Sequence, residues 1–364
     1  MPKVYLGMSG GVDSSVSAIL LQEQGYEVIG CYMKNWSEDL PGAHCPWAED
    51  LADAKRVATK LGIDFKVFDF ESQYKQKVVD YMIDEYRAGR TPNPDIMCNQ
   101  EIKFKLFYDV AMENGADLIA TGHYAQIIDG RLAQATDTAK DQTYFLARMP
   151  REALAKTLFP VGHLEKSQVK QIAADHNLSV ASKKESMGIC FVGEVDIRQF
   201  LKQYIDAKAG PIIDAATGER IGTHEGVPFY TIGQRHGLYL ASDLPYYVIR
   251  KDIAENALYV SKDLNAPELW KSDVRVQGVE CELPRQSATT GSRASSPRND
   301  GSECSAGEGA HINISARVRH RAPLIPATLD GNIVHFSEPQ KALSPGQFLV
   351  FYQDGFVVGS AVIA

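Results

Sequence analysis

Tyr5-Leu6-Gly7-Met8-Ser9-Gly10-Gly11-Val12-Asp13-Ser14-Ser15 is the stretch on which the reading of this chain turns. An extended run over 3–6 enters a turn built from Ser9, Gly10 and Gly11, and a helical pattern leaves it at Val16, Ile19 and Leu20. A strand that passes through a glycine turn into a helix is a phosphate-binding device. The glycines let the backbone come close to an anion and take φ > 0 where needed. The free N–H groups at the helix start, with the helix dipole behind them, face that anion. Ser9, Ser14 and Ser15 add hydroxyl donors. Asp13 suits such a site only if a cation is supplied, and a carboxylate beside phosphates is most simply a Mg²⁺ ligand, directly or through water.

The loop lacks the Gly-Lys-Ser/Thr ending of a Walker A sequence and the Gly-x-Gly-x-x-Gly of a dinucleotide fingerprint. It resembles the SGGxDS loop of the ATP pyrophosphatases, which cleave ATP between its α and β phosphates. An ordinary glycine turn between strand and helix is the plain alternative.

Working outward, the first 70 residues read as repeated β-α units. Strands are expected at 4–6, 27–32 and 65–70, and helices at 14–24 and 48–61, the helices stopped by Gly25 and Gly62. Such alternation predicts a parallel sheet covered by helices, with ligands beyond the carboxyl ends of its strands. Met33 follows the second strand, where an adenine could rest; a methionine packed in the core is the equal alternative.

After a helix over 74–88 comes Thr91-Pro92-Asn93-Pro94-Asp95-Ile96-Met97-Cys98-Asn99-Gln100. Its two prolines predict a stiff loop leading into a helix from about 99 to 114. Cys98 would then sit at a helix start, where the dipole favours thiolate. A fourth strand over 117–121 ends in Gly122-His123, and a glycine there gives a ligand close access to the backbone. His123 reads either as a phosphate or substrate contact or as a strand cap. Lys140 and Gln142, beside Tyr144, read either as phosphate-backbone contacts or as a solvated loop. Cys190 lies in a short apolar run between Gly188 and Gly193. A core thiol is the ordinary reading there; a nucleotide loop and a second activated cysteine in the same chain favour a chemical one.

From about 205 the pattern changes to short strands and turns, expected as a small, mostly β domain to about 268 and a small β-barrel over 269–364. Arg317, Arg319 and Arg321 alternate, which predicts one basic strand face for a phosphate backbone or a merely solvated edge. Residues 286–309 are rich in Ser, Gly, Ala, Asn and Thr without periodicity and are expected to be a flexible insertion.

Bulk properties set the frame. With 364 residues, two or three domains are expected. Apolar residues make up 44% and charged residues 23%, as in globular proteins. No apolar run approaches the roughly 20 residues of a membrane span, and no signal peptide is evident. Six scattered cysteines without an export signal predict reduced thiols and a cytoplasmic protein, and the lack of Cys-x-x-Cys disfavours zinc or iron–sulfur sites. A net charge of −8 does not advertise nucleic-acid binding, which then needs a local basic patch.

The segments GMSGGVDSS, TPNPDIMCNQEIKF, TGHYA, KDQTYFL, SMGICFVG, FYTIGQRHGL and SPGQFLVFY together resemble the bacterial tRNA-specific 2-thiouridylases, in family order over nearly the whole chain. The resemblance implies an α/β fold: an N-terminal parallel-sheet, adenine-nucleotide α-hydrolase-like (PP-loop) domain over 1–204, a small central domain over 205–268 and a C-terminal β-barrel. It implies replacement of the 2-oxygen of a wobble uridine by sulfur, through an adenylated base, with release of pyrophosphate and AMP. Gly7, Met8, Ser9, Gly10, Gly11, Val12, Asp13, Ser14, Met33 and Gly122 match ATP positions, with Mg²⁺ as companion. Cys190 matches the persulfide carrier and Cys98 the attacking thiolate, the pair ending as a disulfide; Asp95 is the nearest general acid/base. Asn93, Pro94, Asp95, His123, Lys140, Asp141, Gln142, Arg317, Val318 and Gln347 match tRNA contacts. The implied partners are tRNAs for Lys, Glu and Gln and a sulfur donor, either a cysteine desulfurase or a relay protein. The competing readings are an ATP pyrophosphatase of amidotransfer type and a non-catalytic tRNA or sulfur-carrier protein.

Overall fold

The computed structural model describes residues 1–39, 45–183, 197–281 and 311–364. Cys190 and the 286–309 insertion therefore lie outside the described residues. The chain forms two compact units: Met1–Tyr81 with Pro94–Phe200 and Gly355–Val357, and Met82–Asn93 with Leu201–Asp354 and Val358–Ala364.

In the first unit, β1 (Lys3–Gly7), α1 (Val12–Glu23), β2 (Glu27–Lys34), α2 (Trp47–Leu61), β3 (Asp64–Asp69) and β4 (Leu118–Thr121) follow the expected alternation. The sheet order is β3-β2-β1-β4 with the short strand Thr157–Leu158 outermost, every pairing parallel. Strand order reverses between β1 and β4, so this is the switch point where a ligand crevice opens. Register brings Gly7 level with Thr121 at that mouth.

The core explains why α1 shows little amphipathicity. Val12, Val16, Ile19 and Leu21 pack with Val4, Leu6 and Val28 of the sheet, while Val57 of α2 and Val169 of the helix Lys166–Asp175 close over them. Ser15 and Ser17 are fully buried on α1, and each satisfies its hydroxyl by donating one turn back, to the Gly11 and Asp13 carbonyls at 2.8 and 2.9 Å. Gly62 ends α2 in the left-handed region at φ 66°, where only glycine is unstrained.

The helix expected from about 99 begins earlier. It runs from Pro94–Met97 through a π-helical stretch, Cys98–Leu106, into Phe107–Glu113. Pro94 sits in the first turn, where its missing N–H costs nothing.

The second unit holds two β structures. A four-stranded mixed sheet has the order Tyr247–Asp252, Ala257–Ser261, Gly210–Asp214, Arg220–His224. Six strands form a closed barrel: Trp270–Cys281, Ile333–Lys341, Ile325–Asp330, His311–Arg317, Phe348–Gln353 and Phe356–Ile363, the last pairing back onto the first. One expectation is corrected here. The strand carrying Arg317 ends at that residue, Arg319 and Arg321 follow in a turn, and Arg321 has φ 62°. The three arginines do not share a strand face. No described helix is long and apolar enough to cross a membrane.

Candidate nucleotide and thiol site

The 7–14 loop continues from β1. The Met8 N–H donates to Cys31 O at 2.8 Å, prolonging the β1–β2 ladder by one residue before the chain turns. Gly10 has φ +72°, and a Cβ there would lie 2.3 Å from the Asp50 carbonyl oxygen. Both facts demand glycine. Gly11 is the N-cap of α1 in extended conformation, and no side chain caps the helix. The first-turn N–H groups thus keep their capacity for an anion. Ser14 Oγ accepts from Ser9 N–H at 3.3 Å and donates to Gly11 O at 3.2 Å, so the turn is closed on itself.

Gly122, just past β4, stands against the start of α1: a Cβ would fall 2.7 Å from Ser14 N. Met33 arrives from β2, its methyl group lying where a Cβ on Gly7 would meet it at 3.0 Å. Sheet order therefore collects Gly7–Ser14, Met33 and Gly122 at one mouth.

Two lysines reach this loop that the sequence reading did not single out. Lys166 Nζ lies 2.6 and 2.9 Å from the two carboxylate oxygens of Asp13, and the Tyr124 hydroxyl donates to the same carboxylate at 2.9 Å. Lys183 Nζ donates to Gly10 O at 3.1 Å and pairs with Asp50 and Asp53 at 2.7 and 2.6 Å. Neither sits within a motif, and each contact spans more than 100 residues, so no local signal announces them.

The loop fits the triphosphate of ATP: an uncapped helix start, glycines where a Cβ would obstruct, and one carboxylate. It also fits a Mg²⁺ that keeps its waters and leans on phosphates, a cation that needs only one or two protein carboxylates. Among the described residues there is no cluster of three metal-ligating side chains.

On the neighbouring helix, Cys98 is buried at 2% exposure. It lies beyond the helix's first turn, where the dipole has largely faded, so the position expected for thiolate stabilisation is corrected. Asn99 donates from Nδ2 to Asp95 O at 3.0 Å, while its buried Oδ1 has no hydrogen-bond partner. Burial pushes the Asp95 carboxyl above its ordinary pKa, and the positive charge of Lys103 draws it partly back.

His123 joins this group. Lys103 Nζ approaches Nε2 at 3.4 Å, and Thr121 Oγ1 lies 2.7 Å from Nδ1. An ammonium can only donate, so Nε2 accepts and Nδ1–H donates to Thr121. Phe104 and Phe159 flank the ring. Burial, then the Lys103 charge, hold its pKa well below 6.5, so His123 is neutral near pH 7.

The remaining expected contact residues fall as follows. Asp141 is buried; its carboxylate accepts from Ala135 N–H at 3.1 Å and Thr143 Oγ1 at 2.8 Å. Gln142 Oε1 accepts from Tyr124 N–H at 2.9 Å. Lys140 is half-buried in the same turn. In the second unit, Arg317 is 9% exposed with its guanidinium 4.9 Å from the Tyr352 ring centre, and Val318 is buried. Gln347 Nε2 donates to the carbonyls of Thr91 and Pro92 at 2.7 and 3.2 Å, bracing the backbone just before Asn93.

Three families match consecutive stretches: the tRNA methyl transferase HUP domain over residues 2–194, the tRNA methyl transferase PRC-barrel domain over 198–262, and the aminomethyltransferase beta-barrel domain over 300–363. The tRNA-specific 2-thiouridylase MnmA of Alkaliphilus oremlandii is 44% identical, aligned over 99% of this chain and 96% of its own. The proteins of that name from Pseudomonas syringae and Flavobacterium johnsoniae are 46% and 40% identical over 100% of this chain, covering 94% and 100% of theirs. A solved 4-thiouridine synthetase–RNA complex with bound ATP covers 56% of this chain and 50% of that one at 16% identity and TM-score 0.36, too distant to add to the argument. With relatives matched from end to end at this identity, the chain belongs to the tRNA-specific 2-thiouridylase family.

Proposed function

We infer that this chain is a tRNA-uridine 2-sulfurtransferase that spends ATP to replace the 2-oxygen of a tRNA uridine by sulfur. The observation that carries the reading is the intact Ser9–Ser14 loop at the sheet's switch point, in a chain matched over its whole length by 2-thiouridylases. The uridine oxygen is a poor leaving group. Its attack on the α phosphorus of ATP expels pyrophosphate and converts it into part of AMP, a good one. Residues Gly7–Ser14 hold the phosphates and Met33 and Gly122 border the nucleoside; Asp13 would hold the companion Mg²⁺, which would offset phosphate charge.

Asp95 takes up the proton that the base gives up as its oxygen attacks; a carboxyl whose pKa burial has raised is suited to that exchange. Cys190 carries the persulfide. Cys98 attacks the inner sulfur, forming a Cys98–Cys190 disulfide and releasing sulfide onto C2 as AMP departs; a thiol reductant then restores both thiols. Direct attack by the persulfide on C2 leads to the same disulfide.

For tRNA, Lys140 meets the phosphate backbone while the fixed carboxylate of Asp141 and the fixed amide of Gln142 shape its turn. Asn93, Pro94, His123, Arg317, Val318 and Gln347 are the further tRNA contacts. The tRNAs are those for Lys, Glu and Gln, the sulfur comes from a cysteine desulfurase directly or through a relay protein, and the enzyme works in the cytoplasm. The chain is divided at about residues 204 and 268, with the last part a tRNA-binding barrel.

Incubation of unmodified tRNA with the protein, ATP, Mg²⁺ and a persulfide source, followed by nucleoside mass spectrometry, tests this. Formation of 2-thiouridine with one AMP and one pyrophosphate per sulfur is expected. ATP-independent thiolation, or ADP as the product, would overturn it.

A further inference from the structure

Lys166 is 8% exposed, far too buried for a casual surface charge. It opens the helix Lys166–Asp175, and its position is fixed from two sides. Its own N–H donates to Asp137 Oδ2 at 3.0 Å, and a capping box between Glu165 and Gln168 sets the helix start. Its ammonium lies 2.6 Å from Asp13, inside the nucleotide loop, and 5.5 Å from the centre of the Tyr124 ring.

Asp13 thus has a cation before any nucleotide arrives. Two charges that match each other in the resting loop must find new partners once a triphosphate with a divalent cation comes in. The carboxylate and the phosphates would repel each other if Asp13 were left alone, and a buried ammonium left alone is equally costly.

We propose that Lys166 is a phosphate ligand held in reserve by Asp13, and that nucleotide binding exchanges the partners. Asp13 turns to the divalent cation, keeping the Tyr124 hydroxyl, and the Lys166 ammonium turns to the phosphate oxygens. The exchange makes the divalent cation and ATP bind interdependently, since each takes the partner that the other displaces. This rests on the reading of the 7–14 loop as the ATP site.

Equilibrium dialysis with labelled ATP, in Mg²⁺ or in EDTA, and Mn²⁺ binding without nucleotide followed by electron paramagnetic resonance, test the exchange. Losing one charge-assisted hydrogen bond, Lys166→Met should weaken ATP in Mg²⁺ about 10- to 100-fold. The same variant should bind Mn²⁺ alone more tightly than wild type, because Asp13 has lost its competitor. Asp13→Asn should do the reverse: ATP binds more tightly in EDTA than it does to wild type, and the gain from Mg²⁺ disappears. A purely structural lysine moves none of these in opposite directions. Wild-type ATP affinity in Lys166→Met, or Mn²⁺ binding that does not rise, overturns the proposal. Should Lys166→Met fail to fold by circular dichroism, Asp13→Asn decides alone, and an unchanged need for Mg²⁺ overturns it. If Gly10→Ala leaves ATP binding untouched in wild-type background, the nucleotide-site reading itself fails, irrespective of Lys166.

Discussion

At Asp95, burial and charge pull in opposite directions: burial raises the carboxyl pKa and Lys103 lowers it. The same lysine lowers that of His123. Burial is the larger cause at both groups; Lys103 opposes it at Asp95 and adds to it at His123. As a base, Asp95 must be ionised, so activity is lost as pH falls through its pKa. Lys103→Met leaves burial unopposed, raises that pKa further, and should move the acidic limb of the single-turnover pH profile to higher pH; Lys103→Arg should return it. A limb that stays in place in both variants would show that Asp95 does not take the proton. The sequence displayed Asp95 and Cys98 because the flanking prolines drew attention to them. Lys103 stands in the same segment, within two turns of Cys98, but helix type decides which side of the helix it occupies, and the sequence does not state that. With about 3.6 residues per turn, a fifth residue points well away from the first, whereas i→i+5 pairing turns it back toward the same side. Cys98 and Lys103 stand in that relation within the π-helical stretch.

Among the elements, the β1–α1 turn was the most legible, because each constraint on it is local. Gly10 needs a positive φ and no Cβ, and Ser14 closes the turn from within it. Gly122 was legible only as a glycine after a strand; its packing on Ser14 N follows from β4 lying beside β1, which sequence spacing does not state. The helix start at Pro94 is not legible in the spacing, because prolines bar a helix interior but are tolerated in its first turn. Gly10→Ala should cost about 1–2 kcal/mol from backbone conformation alone, with the Asp50 contact adding to it. Gly122→Ala keeps an ordinary backbone and should spare stability more than ATP affinity, since it displaces the start of α1. Thermal unfolding beside ATP titration separates the two, and equal ATP affinity in Gly122→Ala and wild type would contradict the crevice between β1 and β4.

Over the whole molecule, an acidic chain of net charge −8 must hold tRNA through local cations. The β-α alternation and the closely spaced later strands made the α/β fold with its terminal barrel readable. The basic face was not, because the strand ends at Arg317 and that guanidinium packs over Tyr352. Lys140→Gln should therefore weaken tRNA binding and reduce its salt slope by about 1. Arg317→Ala should lower the thermal midpoint through lost packing over Tyr352 and weaken tRNA binding less than Lys140→Gln does. A larger loss of tRNA binding from Arg317→Ala would place the main phosphate contact on the barrel strand instead.

The central claim is that ATP-dependent sulfur transfer runs through two cysteines. Its most direct test is single-turnover transfer of labelled sulfur from a desulfurase to unmodified tRNA, with ATP, by wild type, Cys98→Ser and Cys190→Ser. Only the wild type should form 2-thiouridine, Cys98→Ser should still take label onto protein, and Cys190→Ser should not. Thiolated tRNA from both variants would contradict the account.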